Sequence, residues 1–364
     1  MVVMNGYSFG PKTAFVFSGG ASLGAVEAGA LKAIVEEGIQ ADMVLGTSVG
    51  SLNGAMYAFN PTIEGVKAIE DVWLNIKVWD VFSPSPLTPV LNITTFGLYL
   101  ISPKNLRKLI SQNMEFTRIE ETQIPLYIIG TDIKSGQEIV FNKGLAMEAL
   151  MSSVAIPGVF PPQRMGGYSI VDGGMVNNAP ISTACRLGAK RIVVFPIGMP
   201  SPDQEPKTVA EVLIRSFIFL LNRQLSTDIQ LYKDKVELII IPPPDRIDVG
   251  PHDFSKSKLL IDESYAKAKD WLKNEGFSPN ADALSHPCNV HTPEINLMEA
   301  ITPEPEAKAT TRMKEGLKHS TKGVLKSIDD SVDALSTGLA KTADDIKEKV
   351  FKKKKKKELS EKKE

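Results

Sequence analysis

Six short apolar runs, at residues 15–17, 43–45, 126–129, 139–141, 192–195 and 238–241, alternate with stretches of helical periodicity. Each is a continuous run and not an apolar/polar alternation, the mark of strands buried on both faces. Helices between such strands return the chain to start a parallel neighbour. The pattern predicts an α/β fold with a mostly parallel central sheet covered on both faces, a three-layer αβα arrangement. Residues 62–79 and 209–232 are the clearest long helices. Phe217, Phe219, Leu220 and Leu221 crowd every side of one turn, which reads as core.

Two strand-to-helix junctions carry chemistry. The first run leads into Ser18-Gly19-Gly20-Ala21-Ser22-Leu23-Gly24 and then an apolar-periodic segment. Glycines there let successive backbone N–H groups converge, and the helix N-terminus adds its positive end, so the loop suits an anion. A dinucleotide fits poorly, because Ala21 replaces the second glycine of G-x-G-x-x-G and the next strand ends at Leu45 and Gly46 without a ribose-binding carboxylate. No G-K-S or G-K-T follows either. The oxyanion of acyl transfer remains, and it needs a nucleophile on the adjacent strand. Gly46-Thr47-Ser48-Val49-Gly50 supplies one, since Gly46 and Gly50 are small enough for the sharp turn that lifts a serine into a pocket.

A serine needs a base. His252, His286, His291 and His319 all lie in the last third of the chain, and a Ser48, Asp172, His252 order is formally available. Two features weigh against it. Only one strand precedes the one carrying Ser48, and the His252 loop follows Pro242-Pro243-Pro244, which marks a surface connection. Asp172 is the alternative: residues 168–171 read as a short strand, Asp172-Gly173-Gly174 follows at its end, and Asn177 and Asn178 lie just beyond. An aspartate before two glycines ordinarily makes only a tight turn. If that turn lies beside the elbow, its carboxylate can take the Ser48 proton and the asparagines can hold its orientation. A positioned base contributes about 10²–10⁴-fold and each oxyanion donor about 2.7–4 kcal/mol, so a two-residue site suffices chemically.

The glycine loop, the Ser48 elbow, the segment Met151-Ser152-Ser153-Val154-Ala155-Ile156-Pro157-Gly158-Val159-Phe160-Pro161-Pro162 and the Asp172-Gly173-Gly174 turn resemble, in order and spacing, the patatin-like phospholipases. The resemblance covers roughly residues 13–200. It implies the patatin-like form of the αβα fold and a Ser-Asp dyad, with Ser48 as nucleophile and Asp172 as proton acceptor. It further implies oxyanion donors from the backbone of Gly19, Gly20 and Ala21, and hydrolysis of lipid acyl esters without a metal or other cofactor. Two departures stand out. Many members carry Arg or Lys where this chain has Leu23, so that charge is absent, and Ala21 stands where a third glycine is common, which calls for a negative φ. They leave a second reading open, a lipid-surface tether or regulator that keeps the fold and turns over little lipid.

With 364 residues, 43% of them hydrophobic, the chain supplies one large core. We expect an acyl hydrolase domain at 13–275, a proline-containing linker at 276–311 and a tail at 312–364. Residues 82–102, rich in proline and apolar side chains, read as either a core-packing loop or a lipid-facing cap. In the tail, Leu317, Val324, Ile328, Val332, Leu335 and Leu339 begin a narrow apolar stripe at helical spacing, and Lys352 to Lys357 end it. Residues 310–364 hold 16 Lys+Arg against 10 Asp+Glu, and the rest of the chain 26 against 33. An amphipathic, basic tail suits an anionic membrane surface. Nucleic acid is not an expected partner, as Phe351 alone could stack there. Two cysteines, Cys185 and Cys288, and the lack of a signal-like or membrane-spanning run predict a cytoplasmic protein, peripheral at the inner face of the membrane.

Overall fold

The computed structural model describes residues 12–82, 101–198, 205–206, 209–245, 247, 249–250 and 253–280. Strand β1 (Thr13–Phe17) passes through a 3-10 turn (Ala21–Gly24) into α1 (Ala25–Glu36), and β2 (Met43–Thr47) passes through Ser48 into α2 (Val49–Phe59). Three helices follow, α3 (Ile63–Asn75), α4 (Val78–Val81) and α5 (Lys104–Asn113), then β3 (Leu126–Asp132) and β4 (Glu138–Phe141). Next come α6 (Ala146–Ser153), β5 (Gln163–Met165), β6 (Tyr168–Asp172), a 3-10 turn (Gly173–Met175) and α7 (Ile181–Arg186). The described chain closes with β7 (Arg191–Phe195), α8 (Val209–Tyr232), β8 (Glu237–Ile240) and α9 (Ser257–Asn274).

The eight strands form one sheet along the path β5-β6-β3-β2-β1-β7-β8, with β4 pairing β3 off that path. Neighbours from β3 to β8 are parallel, and β4, β5 and β6 are antiparallel additions. Side-chain alternation sorts the apolar runs into two cores. Phe15, Phe17, Val44, Val193 and Phe195 face one cluster with α1, α2 and α9, while Ala14, Val16, Met43, Leu45 and Val194 face another with α7 and α8. Both faces of these central strands are therefore dry, which is why they read as unbroken apolar runs; β4 read the same way, but it is antiparallel and only half-buried to exposed.

One exchange of partners places the site. On one edge of β3, β4 pairs continuously from Ile128 to Thr131. On the other, β2 pairs as far as Ile129, opposite Thr47, and β6 takes over from Gly130, opposite Asp172. Because β2 is parallel and β6 antiparallel to β3, the two strands arrive head-on, bringing the residue after Thr47 against Asp172.

Several expectations are corrected. The helix read over 62–79 breaks after Asn75, where Ile76 is extended, and restarts as α4, whose first turn is capped by Lys77 N–H donating to Asp80 Oδ2 at 2.8 Å. Strand β5 was not foreseen, since Gln163-Arg164-Met165 carries no apolar run. In α8, Leu221 is buried, but Phe219 and Leu220 are 49% and 66% exposed, so the turn is not core on all sides. Residues 83–100, the tail from 281 onward and all four histidines lie outside the described residues. No helix among the described residues is long and apolar enough to cross a membrane.

Candidate active site

The elbow is built by close packing. A Cβ on Gly46 would come within 2.5 Å of Gly50 O, and one on Gly50 within 2.5 Å of Ser18 O, so only glycine permits the turn. Ser48 sits between them at φ 53°, ψ −128°, a conformation that costs a non-glycine residue about 1–3 kcal/mol. Its N–H donates to Ser153 Oγ at 2.9 Å, and Ser153 donates in turn to Ile129 O at 2.6 Å, tying the strained turn to β3. Ser153 lies in the segment singled out before the D-G-G turn, but nothing in the sequence assigned it this task.

Ser48 Oγ donates to Asp172 Oδ2 at 2.6 Å, and Gly174 N–H donates to Asp172 Oδ1 at 2.8 Å. Both side chains are buried, Asp172 at 3% exposure. Burial pushes the Asp172 carboxyl up to about 6, with the hydrogen bonds from Ser48 and Gly174 partly offsetting the desolvation. A proton acceptor near 6 is closer to a hydroxyl's needs than an ordinary carboxylate. The asparagines do not touch Asp172, contrary to expectation. Asn177 Nδ2 donates to Glu138 Oε1, Ser182 Oγ and Thr183 Oγ1. Asn178 clamps the glycine loop instead: its Oδ1 accepts from Gly19 N–H at 3.1 Å and its Nδ2 donates to Gly19 O at 3.2 Å.

That clamp changes the reading of the loop. The Gly19 N–H is engaged by Asn178, through its backbone oxygen as well, so the three expected donors narrow to two. The N–H groups of Gly20 and Ala21 have no partner among the described residues. A Cβ on Gly19 would meet Asn178 Oδ1 at 2.5 Å and Ser48 Cβ at 2.9 Å, which shows how closely loop and elbow approach. Ala21 adopts φ 52°, not the negative value expected, and this left-handed backbone costs about 1–2 kcal/mol. Leu23, at the position of the missing cation, is 1% exposed and packs in the core.

Beneath the loop lies a buried polar chain that sequence reasoning missed. Ser18 N–H donates to Glu27 Oε1 at 2.7 Å, Asn53 Nδ2 donates to Glu27 Oε2 at 2.8 Å, and Trp73 Nε1 donates to Asn53 Oδ1 at 3.0 Å. Glu27 is wholly buried, and desolvation pushes its carboxyl well above the usual range. The one available signal was an acid inside the apolar stretch Ala25-Val26-Glu27-Ala28-Gly29-Ala30.

Ser48 and Ala21 line a cavity beside the elbow. Its lining is almost entirely apolar, with Leu52, Met56, Trp73, Leu109, Leu150 and Phe160 contributed by α2, α3, α5 and α6 and the loop after α6. Such a space takes a hydrocarbon chain and leaves its polar end at the serine. No cluster of His, Cys, Asp and Glu that could hold a metal ion occurs among the described residues.

Residues 15–185 match the Patatin-like phospholipase family model. Similar curated proteins include a putative patatin-like phospholipase domain-containing protein of Caenorhabditis elegans, 31% identical over 50% of this chain and 16% of its own length. Human patatin-like phospholipase domain-containing protein 6 is 29% identical over 52% of this chain and 14% of its own, and Drosophila melanogaster neuropathy target esterase sws 30% over 52% and 13%. The matched segment is thus less than a fifth of each relative's length. Among solved structures, human GIVD cytosolic phospholipase A2 in complex with methyl gamma-linolenyl fluorophosphonate aligns over 78% of this chain and 60% of its own, at TM-score 0.39 and 13% identity. Legionella pneumophila VipD aligns over 71% and 67%, at TM-score 0.35 and 14% identity. Residues 15–185, just under half of the chain, thus carry the match to the patatin-like phospholipase family.

Proposed function

We propose that the chain is a serine acyl hydrolase that cleaves fatty acyl esters of lipids. Ser48 Oγ attacks the acyl carbonyl carbon and its proton passes to Asp172 Oδ2. The carbonyl oxygen, now an oxyanion, is held by the N–H groups of Gly20 and Ala21 at the end of the loop. Collapse of the tetrahedral intermediate expels the alcohol, which leaves with the proton held by Asp172. Water then gives a proton to Asp172 as its oxygen attacks the acyl-enzyme, releasing the fatty acid and restoring the Ser48 hydroxyl. The observation that carries this reading is the 2.6 Å hydrogen bond from Ser48 Oγ to a buried carboxylate at the head of an apolar cavity. The cavity favours a substrate whose acyl part is a long hydrocarbon chain.

Turnover of a fluorogenic acyl ester by the native chain, Ser48→Ala and Asp172→Asn tests it. Loss of about 100-fold or more is expected in both variants. Unchanged turnover in either removes the dyad, and failure of the native chain to react with a fluorophosphonate favours the tether reading. We further propose that the basic tail holds the enzyme at an anionic membrane surface, each lysine near the surface contributing about 1 kcal/mol.

A further inference from the structure

Helix α8 is longer than the sheet it covers. Its 24 residues span about 36 Å, against about 17 Å for a five-residue strand such as β7. Leu225 and Ile229 pack it into the core, and both lie in its later half. Just before them, Leu221 is buried, with its Cδ2 3.6 Å from where a Cβ on Gly174 would stand, and Gln224 bonds Asn178 N and Val176 O. The Leu221–Gln224 turn is therefore level with the active site. The helix runs from the carboxyl end of β7 toward the amino end of its parallel neighbour β8, so the residues before Leu221 extend past the site, with Ile218 still buried on the inner side and the outer side left open.

This overhang presents Val212, Leu213, Phe219 and Leu220 to solvent at 47%, 65%, 49% and 66% exposure. Spacings of seven put them on one face. Further along the same face, level with and past the site, come Arg223, Thr227 and Gln230. Met175, in the turn that α8 touches, is 43% exposed as well. Single exposed apolar residues need no explanation, but a contiguous patch on one helix marks an interaction surface. Arg223, exposed where this face reaches the level of the site, suits phosphate headgroups beside an apolar interior.

We propose that the overhanging face of α8 inserts into a lipid layer, with Leu213, Phe219 and Leu220 among the acyl chains. The helix thereby sets the mouth of the cavity against its substrate. The proposal rests on the acyl-hydrolase reading for its choice of occupant, because the patch ends where the serine site begins. The test is flotation of the full-length chain and of the Leu213→Ser/Leu220→Ser double variant with phosphatidylcholine vesicles. High salt suppresses any contribution of the lysine tail. Both proteins are also assayed on a monomeric short-chain ester, and their urea midpoints are compared. Vesicle binding is expected to weaken about tenfold or more in the variant, with ester turnover and urea midpoint unchanged. Equal binding by the two proteins, or no binding by the native chain, overturns the proposal. So does a native dimer that the variant loses while binding stays the same, since the occupant is then a second copy. Failure of the hydrolase reading shows separately, as absent ester turnover in both proteins with the binding difference intact.

Discussion

Replacing Asp172 by asparagine should make the protein more stable as it makes it inactive, and the gain should depend on pH. The substitution preserves shape: an amide oxygen can still accept from Gly174 N–H, but the amide nitrogen offers a proton to Ser48 Oγ where the carboxylate received one. In the folded protein the Asp172 carboxyl is pushed up to about 6 from an ordinary 3.8, with burial as the largest cause. The folded state thus binds more protons than the unfolded chain between these values, and this group's contribution to stability falls as pH rises through that window. The full shift of about two units amounts to about 3 kcal/mol of destabilisation above pH 7, and roughly half of it is already present near pH 5. The asparagine variant lacks this term, and other titrating groups, Glu27 included, cancel in the comparison. Urea unfolding of both proteins should therefore show the variant gaining about 1–2 kcal/mol on the native chain between about pH 5 and about pH 8. Over the same range, ester hydrolysis by the native enzyme should rise with a midpoint near 6, as the carboxylate forms. A stability difference that stays flat with pH, together with a flat rate profile, would refute the assignment of a buried, desolvated base.

Three further outcomes are expected. Asn178→Ala removes both side-chain bonds to Gly19 and should lower kcat by about 10- to 100-fold with KM little changed, the loss of about 1–3 kcal/mol that follows from freeing buried loop groups. Met56→Trp fills part of the apolar cavity and should depress hydrolysis of long-chain esters far more than of short-chain ones, measured as the ratio of kcat/KM values across a chain-length series. A chain ending at residue 309 should float less with anionic vesicles at low salt than the full chain, and equal flotation would remove the tail as an anchor.

The αβα class, seven of the eight strands and the three motifs of the site were legible in the sequence for one physical reason: each leaves a local signature. A strand buried on both faces must be apolar throughout, and a backbone that folds within 2.5 Å of another backbone must be glycine, as at Gly46 and Gly50. What the sequence could not decide were partners chosen across long separations. Strand β3 continues past its apolar run through Gly130, Thr131 and Asp132, and only that unmarked extension lets β6 replace β2 and set Asp172 against Ser48, 124 residues away. Asn178 was expected beside Asp172 but reaches back 159 residues to Gly19, whose N–H it engages. Ala21 bends to a positive φ because the loop is shaped by its neighbours and not by its own side chain. Residue type alone therefore pointed to the groups proposed to carry the chemistry. The raised pKa of Asp172, the Gly20 and Ala21 N–H groups left without a partner among the described residues, and the exposed apolar face of α8 were set by burial and by contacts that exist only once the sheet has closed.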